Sequence, residues 1–181
     1  RGDVSAARGR AHAALETGAQ ATTPQALFVG PFLMGIAHRL DAAWDESIAR
    51  LEEALGWTTS GSNRELEGWV RAELALALLG RGVLDRAEEE ACAAVEVAHA
   101  QHCRPDEARA HLALAHTQLR RADGAALGRA EQALVRAQQL VDEISAGAYQ
   151  PEVHECRAHL ARLRGDTPTA ERELAAARRL Y

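Results

Sequence analysis

One seven-residue phrase occurs three times along the chain. Arg71 to Ala77 reads Arg-Ala-Glu-Leu-Ala-Leu-Ala, Arg109 to Ala115 reads Arg-Ala-His-Leu-Ala-Leu-Ala, and Arg157 to Leu163 reads Arg-Ala-His-Leu-Ala-Arg-Leu. The copies are offset by 38 and 48 residues. Each is followed by a short polar loop holding glycine and then by a second Ala-rich stretch. Those stretches also match one another, as Ala87, Ala91, Ala94, as Ala130, Leu134, Ala137, and as Ala170, Leu174, Ala177. The same pattern stands earlier as Ser47, Leu51, Ala54 and at the start as Ala7, Ala11, Ala14. Residues four and then three apart lie on one face of a helix, so each set is a narrow stripe. Small residues in the stripe let a second helix approach closely. One helical hairpin cannot bury such a stripe alone, so neighbouring hairpins must stack and repetition supplies the core.

Composition agrees with helices throughout. Hydrophobic residues make up 47% of the chain and aromatic ones only 4%, so the core is built from Ala and Leu. Ile stands only at Ile36, Ile48 and Ile144. Ala is the best helix former, and β-branched residues are sparse. All 21 basic residues are Arg, and the net charge is −5. A nucleic-acid surface needs excess positive charge, and here Arg is interleaved with Glu and Asp as on a solvated, ion-paired face. The longest nearly apolar run, Leu27 to Ala37, has eleven residues, short of the about 20 a membrane span needs. Three scattered cysteines (Cys92, Cys103, Cys156) suit reduced thiols in the cytoplasm. A soluble cytoplasmic protein is expected. The chain opens at Arg1 with its only methionine at Met34, as an excerpt of a longer protein would.

The pattern predicts nine helices in one domain over residues 1–181. An unpaired helix over 3–19 comes first, followed by hairpins over about 24–56, 62–101, 105–144 and 150–181. Start signals include Ser62 with Glu65 as a capping box, Pro105 leading a first turn with Asp106 and Glu107, and Thr167 capping ahead of Pro168. Pro31 is costly in mid-helix, and the repeat register assigns it to a first turn.

These features resemble the tetratricopeptide repeat. That family carries a small residue in its first helix, matched by Gly35, Ala75, Ala113 and Ala161, each preceded by Met34, Leu74, Leu112 or Leu160. It carries a small, large, Ala pattern in its second helix, and Gly-Asp before that helix survives as Gly2-Asp3 and Gly165-Asp166. The aromatic near the start of the first helix is replaced by Pro31, Arg71, Arg109 and Arg157, and the closing proline is largely absent. The resemblance implies a right-handed solenoid of antiparallel helical hairpins whose first helices line a concave groove. Transferred register places Val29, Phe32, Ile36 and Arg39 there, then Trp69, Ala72, Leu76 and Leu79, then Glu107, Ala110, His111, Leu114 and Thr117, then Glu155, Ala158, His159 and Arg162. The groove candidates are thus Phe32, Ile36, Arg39, Trp69, Leu76, His111, His159 and Arg162. The Lys-based clamp that co-chaperones of this family close on a C-terminal carboxylate is absent, because its positions hold Phe32, Ala72, Ala110, Ile36 and Leu76.

No catalytic or metal-binding constellation is legible. His154 and His159 lie five residues apart, which at the helical angle separates them by roughly 140°, unlike a zinc-binding His-x-x-x-His pair. His111 and His116 fail equally. His99, His102 and Cys103 are the strongest metal candidates, against the plain reading of polar residues at a helix end. The expectation is a non-enzymatic scaffold without cofactor, binding a protein or peptide partner or adjacent domains of its own parent chain. The last two helices are similar, more loosely, to the C-terminal arrays of bacterial multidomain ATPase regulators of transcription and of nucleotide cyclases. That similarity implies a part in signalling or transcription regulation. The alternative is a small-molecule effector-sensing domain of a multidomain activator. The apolar helix over 24–40, with Phe32 and Ile36, also predicts an exposed face that is covered by a homodimer or by a neighbouring domain of the parent chain.

Overall fold

The computed structural model describes residues 9, 13, 24–59 and 64–181. Eight α-helices fill the described chain: α1 (Pro24–Leu40), α2 (Trp44–Thr59), α3 (Glu67–Arg81), α4 (Leu84–Ala100), α5 (Arg104–Arg121), α6 (Gly124–Glu143), α7 (Gln150–Leu163) and α8 (Thr167–Leu180). Short 3₁₀ turns precede α3 and α7, and no strand occurs among the described residues. The sequence pattern predicts nine helices. The described residues hold eight, because the one expected over 3–19 is described only at Gly9 and Ala13. No helix among the described residues is long and apolar enough to cross a membrane.

Every helix packs on the next, and α1, α3, α5 and α7 also pack on one another in that order. Connections of two or three residues join α1 to α2, α3 to α4, α5 to α6 and α7 to α8. Such links cannot carry the chain back along a helix, so these partners run antiparallel. The turns share one device. Ala42, Gly82, His102, Ser145 and Gly165 adopt left-handed backbone angles, with φ between 54° and 89°. The amide of the residue after each donates to the carbonyl five positions back, as Val83 N–H does to Leu78 at 2.9 Å. This closes the orphan carbonyls of a helix end. Ala122 is left-handed as well, but its own amide bonds Gln118.

The alanine stripes form the core as their spacing demands. Ala72, Ala75, Ala91, Ala94, Ala110 and Ala113 of α3, α4 and α5 make one fully buried cluster. Ala161 is buried too. On α1 the small position is Gly35, where a Cβ would stand 2.5 Å from Leu51 Cγ. The Ser47 hydroxyl beside it donates to the Gly35 carbonyl at 2.7 Å, buried. Glycine here is a matter of close approach, since α2 lies against the α1 backbone.

Three expectations need correction. Pro31 lies inside α1, not in its first turn, because the helix already opens at Pro24. The cap of α8 is Asp166, whose carboxylate accepts the Thr169 amide at 3.0 Å, and Thr167 is already helical. Phe32 belongs to the core rather than to an open surface. Its ring stacks on Phe28 at 5.3 Å and meets Trp69 edge-on at 5.0 Å. Ile36 of the same helix stays partly exposed.

Candidate ligand-binding site

The face shared by α1, α3, α5 and α7 carries a chain of charges that the sequence reading takes for solvated surface. Glu73 sits in the run Ala72 to Leu78, otherwise wholly apolar, and its side chain is only 4% exposed. A carboxylate so buried needs partners. It finds Arg39 Nε of α1 at 2.8 Å and Arg109 Nε of α5 at 2.8 Å, one on each oxygen. Arg109 continues to Glu152 of α7, its Nη1 donating to both oxygens at 3.0 and 2.9 Å. Glu152 then meets His116 Nε2 at 3.0 Å, and that nitrogen stands 3.4 Å from Cys156 Sγ. Four helices are thereby joined by one ladder.

Electrostatics follow from this sharing. Burial alone would raise the pKa values of Glu73 and Glu152. The guanidiniums on Glu73, and His116 with Arg109 on Glu152, outweigh it, so both stay ionised and Glu152 is held down to about 2. Burial would strip His116 of its proton, but the Cys156 sulfur and the Glu152 carboxylate raise its pKa to about 10. His116 is therefore cationic at neutral pH, with a third of its side-chain surface open.

The open side of His116 faces a pocket of about 380 Å³ lined by Trp44, Leu76, Leu79, Gly80, His116, Arg120 and His159. On α5, Arg109, His116 and Arg120 are spaced seven and four apart and so share one face. The Trp44 ring lies directly on Gly80, where a Cβ would come within 2.4 Å of it.

Of the eight groove candidates, only Leu76 and His159 line this pocket. Arg39 is committed to Glu73. Phe32 is core, and Ile36 and Trp69 are partly buried against the same cluster. His111 lies elsewhere, beside Glu107, which is bound by Arg136 of α6 at 2.9 Å. Burial lowers the His111 pKa. Arg162 is exposed, close enough to His159 to help lower its pKa, after burial and His116. Trp44, Glu73, Arg109, His116, Arg120 and Glu152 are the residues the sequence reading misses. The signal available for Glu73 is its isolation in an apolar run. For Trp44 there is none, since it precedes the stripe of its own helix.

His154 and His159 are used separately, as their angular separation requires. His154 Nδ1 lies 2.6 Å from Glu173 of α8, while His159 faces the pocket. Among the described residues no group of three or more His, Cys, Asp or Glu is arranged to hold a metal ion. The three cysteines are free thiols. No family model, curated protein or solved structure matches the chain. Its function has to be argued from this geometry.

Proposed function

We propose that the chain is a non-catalytic binding and regulatory module, a right-handed solenoid of hairpins of the tetratricopeptide type, whose inner row of helices receives a partner segment. Support for the solenoid comes from the recurring left-handed turns, the alanine stripes and the ordered contacts among α1, α3, α5 and α7. One observation carries the binding reading. The row's buried charges neutralise one another, while Trp44, Leu76, Leu79, Arg120 and His159 remain around an open pocket. A surface kept rigid by internal pairing and left unsatisfied at one place is suited to recognition. Catalysis is disfavoured because the thiol beside a base, Cys156, is buried at 2% exposure under an imidazole nitrogen already held by Glu152. The free thiols fit a reducing cytoplasm, and a regulatory place in a larger bacterial signalling or transcription-regulating protein fits the module.

The test is selection of binders from a displayed peptide library, with hydrogen exchange mapping where they sit. Protection at Leu76, His116 and His159 is expected. Protection confined to α2, α4, α6 and α8 refutes the reading. A second reading, a small-molecule effector site, is favoured by the concentration of uncommitted groups in one pocket instead of along the row.

A further inference from the structure

We infer that the pocket between Trp44, Leu76, Leu79, His116, Arg120 and His159 binds a small free carboxylate carried on a compact apolar body, an aryl- or alkyl-carboxylic acid. This rests on the second reading above and names its ligand class.

The pocket has two unlike walls. Trp44, Leu76 and Leu79 make an apolar one, from α2 and α3. Its aromatic plate is set by Gly80, whose missing side chain lets the Trp44 ring lie on the backbone of α3. The facing wall holds two cations, His116 and Arg120 of α5, with the imidazole of His159 from α7 beside them. Every other arginine of α1 to α6 faces a carboxylate. Among the described residues Arg120 has no such partner, and it is exposed at the pocket. A guanidinium presents a planar fork that matches a carboxylate at two points. The charge of His116 is already answered by Glu152, so Arg120 offers one unshared full charge. That suits a monoanion better than a phosphate dianion.

Locality argues for a small molecule over a chain segment. Away from the pocket much of the row is closed. Ala72, Ala110 and Ala158 are buried, and Arg39, Glu73, Arg109 and Glu152 are bound to one another. The volume of about 380 Å³ lies within the range of small-ligand sites, about 300–1,000 Å³.

The test titrates the whole chain with 4-phenylbutyrate, octanoate, phenyl phosphate and the neutral 4-phenylbutan-1-ol, reading the Trp44 indole N–H and His159 by NMR. Saturable shifts confined to the pocket are expected with both acids, and binding about tenfold weaker with the alcohol, the loss of one charge-assisted contact. Arg120→Gln, an exposed change that leaves the fold intact, should weaken the acids by about tenfold and leave the alcohol unchanged. Equal affinity for acid and alcohol, an unaltered Arg120→Gln, tighter binding of phenyl phosphate, or shifts outside the pocket each overturn the proposal. If neither acid binds while selected peptides still protect the row, the carboxylate proposal fails and the docking reading survives. If the acids bind and no peptide protects the row, the docking reading is the one that fails.

Discussion

Replacing Glu73 by Gln tests whether the ladder holds α1, α3, α5 and α7 together. The change keeps the shape and one acceptor oxygen but removes the charge that faces both Arg39 and Arg109. Breaking a buried ion pair by deleting one partner costs about 3–5 kcal/mol, because the other charge is left desolvated. Two features of this site reduce that. Arg109, 9% exposed, keeps its two-oxygen contact with Glu152, and Arg39, 20% exposed, can take up water. A loss of about 2–3 kcal/mol follows. That is a large share of a domain's usual margin, yet the chain still folds. Urea unfolding at neutral pH should show a lower midpoint with an unchanged slope. Arg109→Met should cost a similar amount, and the double variant less than the sum by about 1–2 kcal/mol, because the two groups share one interaction. Added salt should leave the loss in place, since a buried pair is poorly screened. The surface pair Arg86–Glu52, both side chains more than 40% exposed, is the control, with Glu52→Gln changing stability by about 0.5 kcal/mol or less. A Glu73→Gln protein within about 0.5 kcal/mol of the parent, or strict additivity in the double variant, refutes the ladder as a stabilising unit.

Other expectations follow from the same structure. Because Glu73 and Glu152 are held below the ordinary carboxylate value, their contribution is complete above about pH 5 and lost as pH falls below that range, for Glu152 towards about 2; acid unfolding of Glu73→Gln should therefore be shallower than that of the parent. His116 has the opposite sign: its raised pKa stabilises below about pH 6.5 and is given up as pH climbs towards 10, so His116→Asn should flatten the alkaline limb followed by helical circular dichroism. Gly35→Ala forces Leu51 away and should cost about 1–3 kcal/mol by urea midpoint, as should Ala75→Leu or Ala113→Leu in the alanine cluster. Ala42→Gly relieves a left-handed alanine and should raise stability by about 0.5 kcal/mol; a lower thermal midpoint would contradict the turn geometry.

Helix positions were legible in the sequence for a physical reason. Stripes such as Ala87, Ala91, Ala94 exist only because two backbones come close there, so spacing and burial report the same event. The left-handed turns hid better. Gly82 and Gly165 mark two of them, but Ala42, His102, Ala122 and Ser145 adopt the same angles with no residue signal. Tertiary packing overrode their preference. The candidate site was less legible still. Transferred register named Glu107 and His111 on α5, whereas α5 lines the pocket with His116 and Arg120 and pairs Glu107 with Arg136. Two positions along a helix amount to roughly 200° of rotation, so Arg109 of the ladder stands on the face opposite Glu107. Charge type could not tell these faces apart, because Arg and Glu occur on both.

The ladder and the pocket bear on one another. Arg109 holds both oxygens of Glu152, so His116 is fixed from behind by an oriented carboxylate. A cation held in this way loses little freedom when a ligand arrives, and preorganisation of this kind is where affinity is gained. Trp44 is fixed in turn by its contact with Gly80. Arg120 and His159 are exposed at the pocket. Fixed groups on both walls, with exposed polar groups at the rim, are what distinguishes a recognition pocket from a crevice between helices. In the crevice between α6, α7 and α8, Arg164 is paired with Glu131 and Glu173 with His154.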